Sequence, residues 1–248
     1  MSAVRSALFL AWFLAITTLL SLIFLPVLVL PRGATVWLAR AWSRATFFGL
    51  KWLAGLDWEI RGVVPKGPVL VASKHMSMWD TLALYLALNS PAIVLKRSLL
   101  TIPFYGWFLW KATAIAIDRG AGAGALRKMS AAAQQVLGEG RPILIFPEGT
   151  RVDPGAHPPL QPGVAALASR LGIPVVPVMT NSGLFWGRLS FRKRSGTVRV
   201  AIQPPLSATS SRAAVLEALN AAFDPARLVD NSVGEAAVRA APETSIAR

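Results

Sequence analysis

His75 and Asp80 are the residues whose types and spacing most directly suggest chemistry. They fall in the run Lys74, His75, Met76, Ser77, Met78, Trp79, Asp80, between an aliphatic stretch and a helical one. Across a strand-to-helix turn such a carboxylate reaches the imidazole, fixes its tautomer and stabilises the imidazolium, which makes a general base suited to an alcohol. The same carboxylate suits the first turn of a helix for purely structural reasons, so spacing alone leaves both readings open. His157, the other histidine, lies among Pro154, Pro158 and Pro159 in what reads as a surface loop with no comparable partner. Ser77 shares the His75 loop, but no G-x-S-x-G elbow accompanies it. The chain has no cysteine, which excludes a thiol nucleophile, a disulfide scaffold and a thiolate zinc site.

A second constellation is Phe146, Pro147, Glu148, Gly149, Thr150, Arg151. Gly149 allows a close backbone approach and Arg151 offers a forked donor to a phosphate, although an ordinary turn with a surface Glu and Arg reads the same locally. Ile117, Asp118, Arg119 and the pair Lys96, Arg97 close two further aliphatic stretches. If these stretches are parallel strands, their ends share one edge of a sheet, where α/β proteins bind ligands. His75 then faces a basic pocket suited to a phosphate monoester.

The elements that would hold these residues are legible as alternation. Residues 69–72, 92–95, 113–117, 142–146, 175–179 and 197–202 are short aliphatic runs bounded by turn residues, and read as strands. Helical stretches at 81–88, 124–137, 164–171 and 213–223 lie between most of them. The expected fold class is α/β, a central mixed sheet flanked by helices, preceded by an N-terminal membrane-embedded helical pair. Three segments follow: 1–58 as anchoring helices, 59–228 as the α/β domain and 229–248 as a flexible tail without apolar periodicity.

Taken together, the H-x-x-x-x-D run from His75 to Asp80, the F-P-E-G-T-R run from Phe146 to Arg151, the Ile117-Asp118-Arg119 block and the Val176-Pro177-Val178 block resemble the four-block pattern of glycerolipid acyltransferases. The resemblance is strongest to the 1-acylglycerol-3-phosphate (lysophosphatidate) acyltransferase family and covers roughly residues 60 to 205. It departs from that pattern at Lys74, where many members have Asn; a cation there would tune donor or acceptor choice. The resemblance implies transfer of a fatty acyl group from an acyl thioester to the sn-2 hydroxyl of 1-acylglycerol-3-phosphate, giving phosphatidic acid. By the same resemblance His75 is the base, Asp80 orients it, and Arg151 and Arg119 with Lys96 hold the acceptor phosphate. Glu148, Gly149 and Thr150 would shape the acceptor site by hydrogen bonds to the glycerol and by backbone contacts. The hydroxyl attacks directly, with no acyl-enzyme, no metal and no cofactor; acyl-CoA or acyl carrier protein brings the acyl group. An apolar tunnel would hold the chain, with the aromatic connector 102–110 as part of its wall. Glycerol-3-phosphate, another lysophospholipid or an ornithine-type lipid are the alternative acceptors.

Composition agrees with a partner that is both apolar and anionic. Hydrophobic residues make up 54% of the 248, charged residues only 15%, and 26 basic against 12 acidic residues give a net charge of +14. From Leu8 to Leu30 only Thr17, Thr18 and Ser21 are polar, and no charge occurs between Arg5 and Arg32. As a helix this run measures about 35 Å, enough to cross a hydrocarbon core of roughly 30 Å. Pro26 and Pro31 would bend it, so a crossing helix and a half-embedded hairpin both stand, while a signal peptide lacks a small-residue cleavage site. Over 34–56 a basic stripe of Arg40, Arg44 and Lys51 opposes Leu38, Trp42, Ala45, Trp52 and Leu56, as on an interfacial helix or on one packed against its own domain. If the first helix crosses, the cations after it place the catalytic domain on the cytoplasmic face of the inner membrane.

Residues beyond 56 still hold 21 basic and 12 acidic residues. Arg188, Arg192, Lys193, Arg194 and Arg199 read as an exposed patch for lipid headgroups or for acyl carrier protein. Nucleic acid is a poor fit, with Phe191 as the sole interleaved aromatic and no accompanying motif. Two rival classes remain: a non-catalytic protein that binds anionic lipid, and a hydrolase that releases free fatty acid.

Overall fold

The computed structural model describes residues 3–112, 114–118, 122–207 and 211–228, so Arg119 and the expected tail lie outside the described residues. Among the described residues seven strands form one sheet: β1 (Leu56–Arg61), β2 (Leu70–Ser73), β3 (Ala92–Lys96), β4 (Ile115–Ile117), β5 (Ile143–Ile145), β6 (Val175–Thr180) and β7 (Gly196–Ile202). Their order is β1-β7-β6-β2-β5-β3-β4. β6, β2, β5, β3 and β4 are mutually parallel, while β7 pairs antiparallel with β6 and parallel with β1. The sheet is therefore mixed, and the C-terminal ends of β2, β3, β4, β5 and β6 share one edge.

Alternate strand residues feed two cores, as the two-residue period of a strand requires. Leu70, Ala72, Ile143, Ile145 and Val175 pack under α5 (Gly122–Gly138), α6 (Gly163–Leu171) and α7 (Arg212–Ala222). Val71, Leu144, Val176 and Val178 face the opposite layer, with Trp79 and Ala83 of α3 (Met78–Ala87) and Phe9 of α1 (Ala3–Ile23). The strand readings from sequence fall on β2 to β7. β1 begins at Leu56, where the segment read as helical ends, and crosses the expected boundary between the anchoring helices (1–58) and the α/β domain, so residues 56–58 belong to the sheet. Its Leu56, Trp58 and Ile60 alternate with Asp57, Glu59 and Arg61, the pattern of a sheet-edge strand with one charged side. Glu59 also answers Arg199, its neighbour in register on β7, at 2.9 Å.

α1 and α2 (Arg32–Gly49) form a hairpin, joined through the tight turn Leu25–Val29, with Pro26 in its first positions and Pro31 capping α2. Arg5 Nε donates to Leu53 O at 2.8 Å, Trp12 Nε1 to Ala45 O at 2.9 Å and Trp42 Nε1 to Thr17 Oγ1 at 3.0 Å. Gly49 is needed here, because a Cβ would overlap the Trp12 indole. The start of α1 thus lies beside the end of α2, and the chain returns to the side it left. α1 is long and apolar enough to cross a bilayer by length and composition, and Leu8, Leu14, Leu19 and Leu22 are exposed on it.

The basic stripe on α2 is only partly free. Arg40 donates to Asn89 Oδ1 at the end of α3, and Lys51 pairs with Asp57 at 2.7 Å. On the apolar side Leu38 is buried and Trp42 packs against Phe13 of α1. Leu38 and Leu56 of that side are thus covered within the protein, whereas Trp52 is exposed, as are Trp37 and Phe48 of α2.

Candidate active site

His75 lies where β2 gives way to α3, and the turn between them is made by local polar groups. Ser77 caps α3, its Oγ accepting from Trp79 N at 3.1 Å, and Asp80 completes a capping box by accepting from Ser77 N at 2.8 Å. Asp80 Oδ2 also accepts from Met76 N at 2.7 Å and stands 3.3 Å from His75 Nδ1. The carboxylate therefore both caps the helix and faces the imidazole. With Nδ1–H directed at Asp80, His75 Nε2 is the nitrogen left to accept a proton. The ring stacks on Phe146 at 3.9 Å between centroids and 20° between planes, which fixes its tilt.

The loop after β5 closes against the same turn. Gly149 N donates to Phe146 O at 3.0 Å in a reverse turn with Pro147 and Glu148 at its centre, and Gly149 takes φ +73°, a conformation that favours glycine. Glu148 is buried: Oε2 accepts from His75 N at 2.7 Å and Oε1 from Lys74 Nζ at 3.0 Å. Burial pushes the Glu148 carboxyl up from its ordinary range, against the opposing pull of the His75 N–H and the Lys74 ammonium. Lys74 Nζ also donates to Ala156 O at 3.1 Å, and Val152 N donates to His75 O at 2.8 Å. The two motif-bearing loops are stitched together from both sides of His75.

The residues singled out in the sequence divide accordingly. His75, Asp80, Glu148 and Gly149 form one connected cluster. Arg151 is half-buried at its margin, Thr150 is exposed and Lys96 is exposed at the end of β3, on the same sheet edge. Glu148 differs from the expected acceptor-contacting role, since both of its oxygens are taken up within the protein. Lys74 likewise points inward instead of towards the pocket. Phe146 was quoted only as the first letter of a motif, and its stacking on His75 has no signal in spacing.

A cavity of about 410 Å³ opens on this edge. Val94, Ile117, Leu126, Met129, Ile145 and Val164 make it apolar, while Phe146, Pro147 and Gly149 connect its wall to the His75 loop. The aromatic connector does not line it. Instead Tyr105–Lys111 forms a helix, α4, whose Trp107 and Trp110 are exposed beside Leu28 of the hairpin turn.

Residues 57–181 match the family profile described as Acyltransferase. The 1-acyl-sn-glycerol-3-phosphate acyltransferase of Pseudomonas aeruginosa is 35% identical over 195 residues, covering 77% of this chain and 76% of its own. The chain belongs to the acyltransferase family. The alpha form from Homo sapiens, another 1-acyl-sn-glycerol-3-phosphate acyltransferase, is 32% identical over 194 residues, 75% of this chain and 68% of its own. In fold, this acyltransferase matches the crystal structure of the 1-acyl-sn-glycerophosphate (LPA) acyltransferase, PlsC, from Thermotoga maritima. The TM-score is 0.71 at 21% identity, covering 89% of this chain and 95% of that one. The acyltransferase profile spans the His75 turn, the Phe146–Arg151 loop and β6, so the cluster around His75 lies within the matched region.

Proposed function

We propose that this acyltransferase moves a fatty acyl group from an acyl thioester to the sn-2 hydroxyl of 1-acylglycerol-3-phosphate, giving phosphatidic acid. The observation that carries the reading is the His75 imidazole, held at Nδ1 by Asp80 and on one face by Phe146. His75 Nε2 takes the proton of the acceptor hydroxyl as its oxygen bonds to the thioester carbonyl carbon. The tetrahedral intermediate then expels the thiolate, which recovers the proton from the imidazolium, so no acyl-enzyme forms. Asp80 stabilises the imidazolium between these steps. Arg151 and Lys96, with Arg119 outside the described residues, bind the acceptor phosphate at the sheet edge. Glu148 positions His75 through the backbone, and the apolar cavity beside Phe146 holds an acyl chain.

The reading includes a membrane. The acceptor keeps one chain in the bilayer, and extracting that chain would cost about 0.8 kcal/mol per methylene. The exposed apolar face of α1, continuous with the hairpin turn and α4, lets the enzyme sit in one leaflet of the inner membrane from its cytoplasmic side and draw its acceptor laterally.

The test is a panel of acceptors with purified protein in mixed micelles, each with acyl-CoA and acyl carrier protein as donor. Phosphatidic acid formed from lysophosphatidate, at rates well above those with glycerol-3-phosphate or uncharged lysolipids, is expected. A preference for an uncharged acceptor would refute the phosphate role of Arg151, and release of free fatty acid without acceptor would make the chain a hydrolase.

A further inference from the structure

The segment between β6 and β7 takes no part in the reaction above, yet its surface is distinctive. Leu189 is 86% exposed and held at φ +56°, a region that leucine seldom adopts. Leu184 and Phe191 are each 47% exposed beside it. Arg188, Arg192 and Arg194 are exposed around these apolar tips, and none of them forms an ion pair among the described residues. No acidic residue occurs anywhere between Asp153 and Glu217.

The outward shape is built from within. Lys193, which the sequence placed in an exposed patch, is buried; its Nζ donates to Ser190 O at 2.7 Å and Phe191 O at 3.0 Å and lies 4.9 Å above the Trp186 ring. Ser190 Oγ donates to Arg192 O, and Ser190 N to Gly187 O. The backbone is thereby folded so that Leu189 and Phe191 point away from the lysine that holds them. On the hairpin side Lys193 N donates to Ser6 Oγ of α1 at 3.0 Å, and Trp186 meets Phe9 edge-on. On the active-site side the Arg188 guanidinium donates to Arg151 O at 3.4 Å.

We propose that the segment from Leu184 to Arg194 is a second membrane-docking element, which inserts Leu189 and Phe191 into the interfacial zone of an anionic bilayer beside α1. Apolar tips ringed by arginines fit such a surface, the tips reaching the acyl boundary while the guanidiniums meet lipid phosphates. A bilayer fits better than a protein partner because the buried Ser6 and Phe9 fix the loop against the first turns of α1, the helix whose Leu8, Leu14, Leu19 and Leu22 are exposed. Its position against Arg151 sets the phosphate site at the level of the headgroups, where the acceptor already lies. The inference rests on α1 being membrane-embedded.

The absence of native cysteine allows a clean test. Leu189→Cys, Leu14→Cys on the exposed face of α1 and Lys66→Cys before β2, at the opposite sheet edge, are each labelled with a polarity-sensitive nitrobenzoxadiazole fluorophore. Phe191→Cys is a second reporter for the loop. The full chain is reconstituted into phosphatidylcholine vesicles containing phosphatidylglycerol and acyl-brominated lipid. The probes at 189, 191 and 14 should be quenched several-fold more than the probe at 66. Quenching at 189 should fall when phosphatidylcholine replaces phosphatidylglycerol, or when Arg188→Gln and Arg192→Gln are combined. Quenching at 14 without quenching at 189 and 191 would overturn the docking role while leaving α1 in the membrane. Quenching at none of them would overturn the membrane reading itself, and this inference with it. Equal quenching of the loop in neutral vesicles would overturn the anionic preference. Shielding of the loop probes by acyl carrier protein without lipid quenching would make a protein the occupant, and would also overturn the proposal.

Discussion

Lys74 and Glu148 meet at 3.0 Å in an ion pair that solvent scarcely reaches, and the second oxygen of Glu148 accepts the backbone N–H of His75 at 2.7 Å. One carboxylate therefore ties the strand that precedes the histidine to the loop that carries Arg151. A buried pair of this kind is a weak source of net stability, because desolvation offsets most of the attraction. Its effect here is geometric. Any slackening moves the backbone from which the imidazole is hung.

Lys74→Met should destabilise the protein by about 3–5 kcal/mol, since it leaves a buried carboxylate without its cation. In the double variant Lys74→Met with Glu148→Leu the uncompensated charge is gone, and most of that stability should return. Activity should not return with it: kcat is expected to stay on the order of 10–100-fold down, the effect of a misplaced catalytic group. Chemical denaturation and steady-state rates on the four members of the cycle check both halves. A stable double variant with full kcat would show that the pair does not position His75.

His75→Ala should lower kcat by about 10²–10⁴-fold with little change in the acceptor KM, the usual contribution of general base catalysis. Asp80→Asn keeps an oxygen for the Met76 and Ser77 N–H groups and so preserves the cap on α3, but it removes the charge that faces Nδ1. It too should lose kcat while unfolding near the native temperature. Unchanged turnover in a folded His75→Ala variant would exclude the mechanism.

Burial on both faces made the central strands legible, because runs such as Val175 to Met179 must be apolar throughout. β1 escaped notice because its alternation is only half apolar, and the helical register of the preceding Trp52 seemed to run on through Leu56. The segment 102–110 reads from sequence as an aromatic connector, whereas Tyr105–Lys111 is a helix that Pro103 only precedes and that holds Gly106 inside it. The His75–Asp80 contact was legible because a strand-to-helix turn leaves few ways to arrange the four residues between them. The inward turn of Lys74 and Lys193 was not: each is held by carbonyl oxygens from its surroundings, Ala156 for one and Ser190 and Phe191 for the other. From sequence, Lys74 reads as a cation beside the base and Lys193 as part of an exposed patch.

The apolar cavity gives a prediction about chain length. Ala125 lines it from α5, and Ala125→Phe should shorten the acyl chain the enzyme prefers. Each methylene left without space loses ~0.8 kcal/mol, about fourfold in kcat/KM. Competition between thioesters of increasing chain length measures the shift, and an unchanged profile in a folded, active variant would place the chain elsewhere.

Lys193 makes stability depend on pH in a specific direction. Desolvation by burial lowers its pKa from the ordinary 10.5 to about 8. Between these values the unfolded chain holds a proton that the folded chain has released. The contribution of this lysine to stability is therefore smallest below pH 8 and grows as pH rises towards 10.5. Lys193→Met removes this dependence, so the stability of the native protein relative to the variant should increase between pH 7 and pH 9.5. Denaturant titrations of both proteins in the same detergent across that range measure the difference, and parallel curves would show that Lys193 is not desolvated in solution.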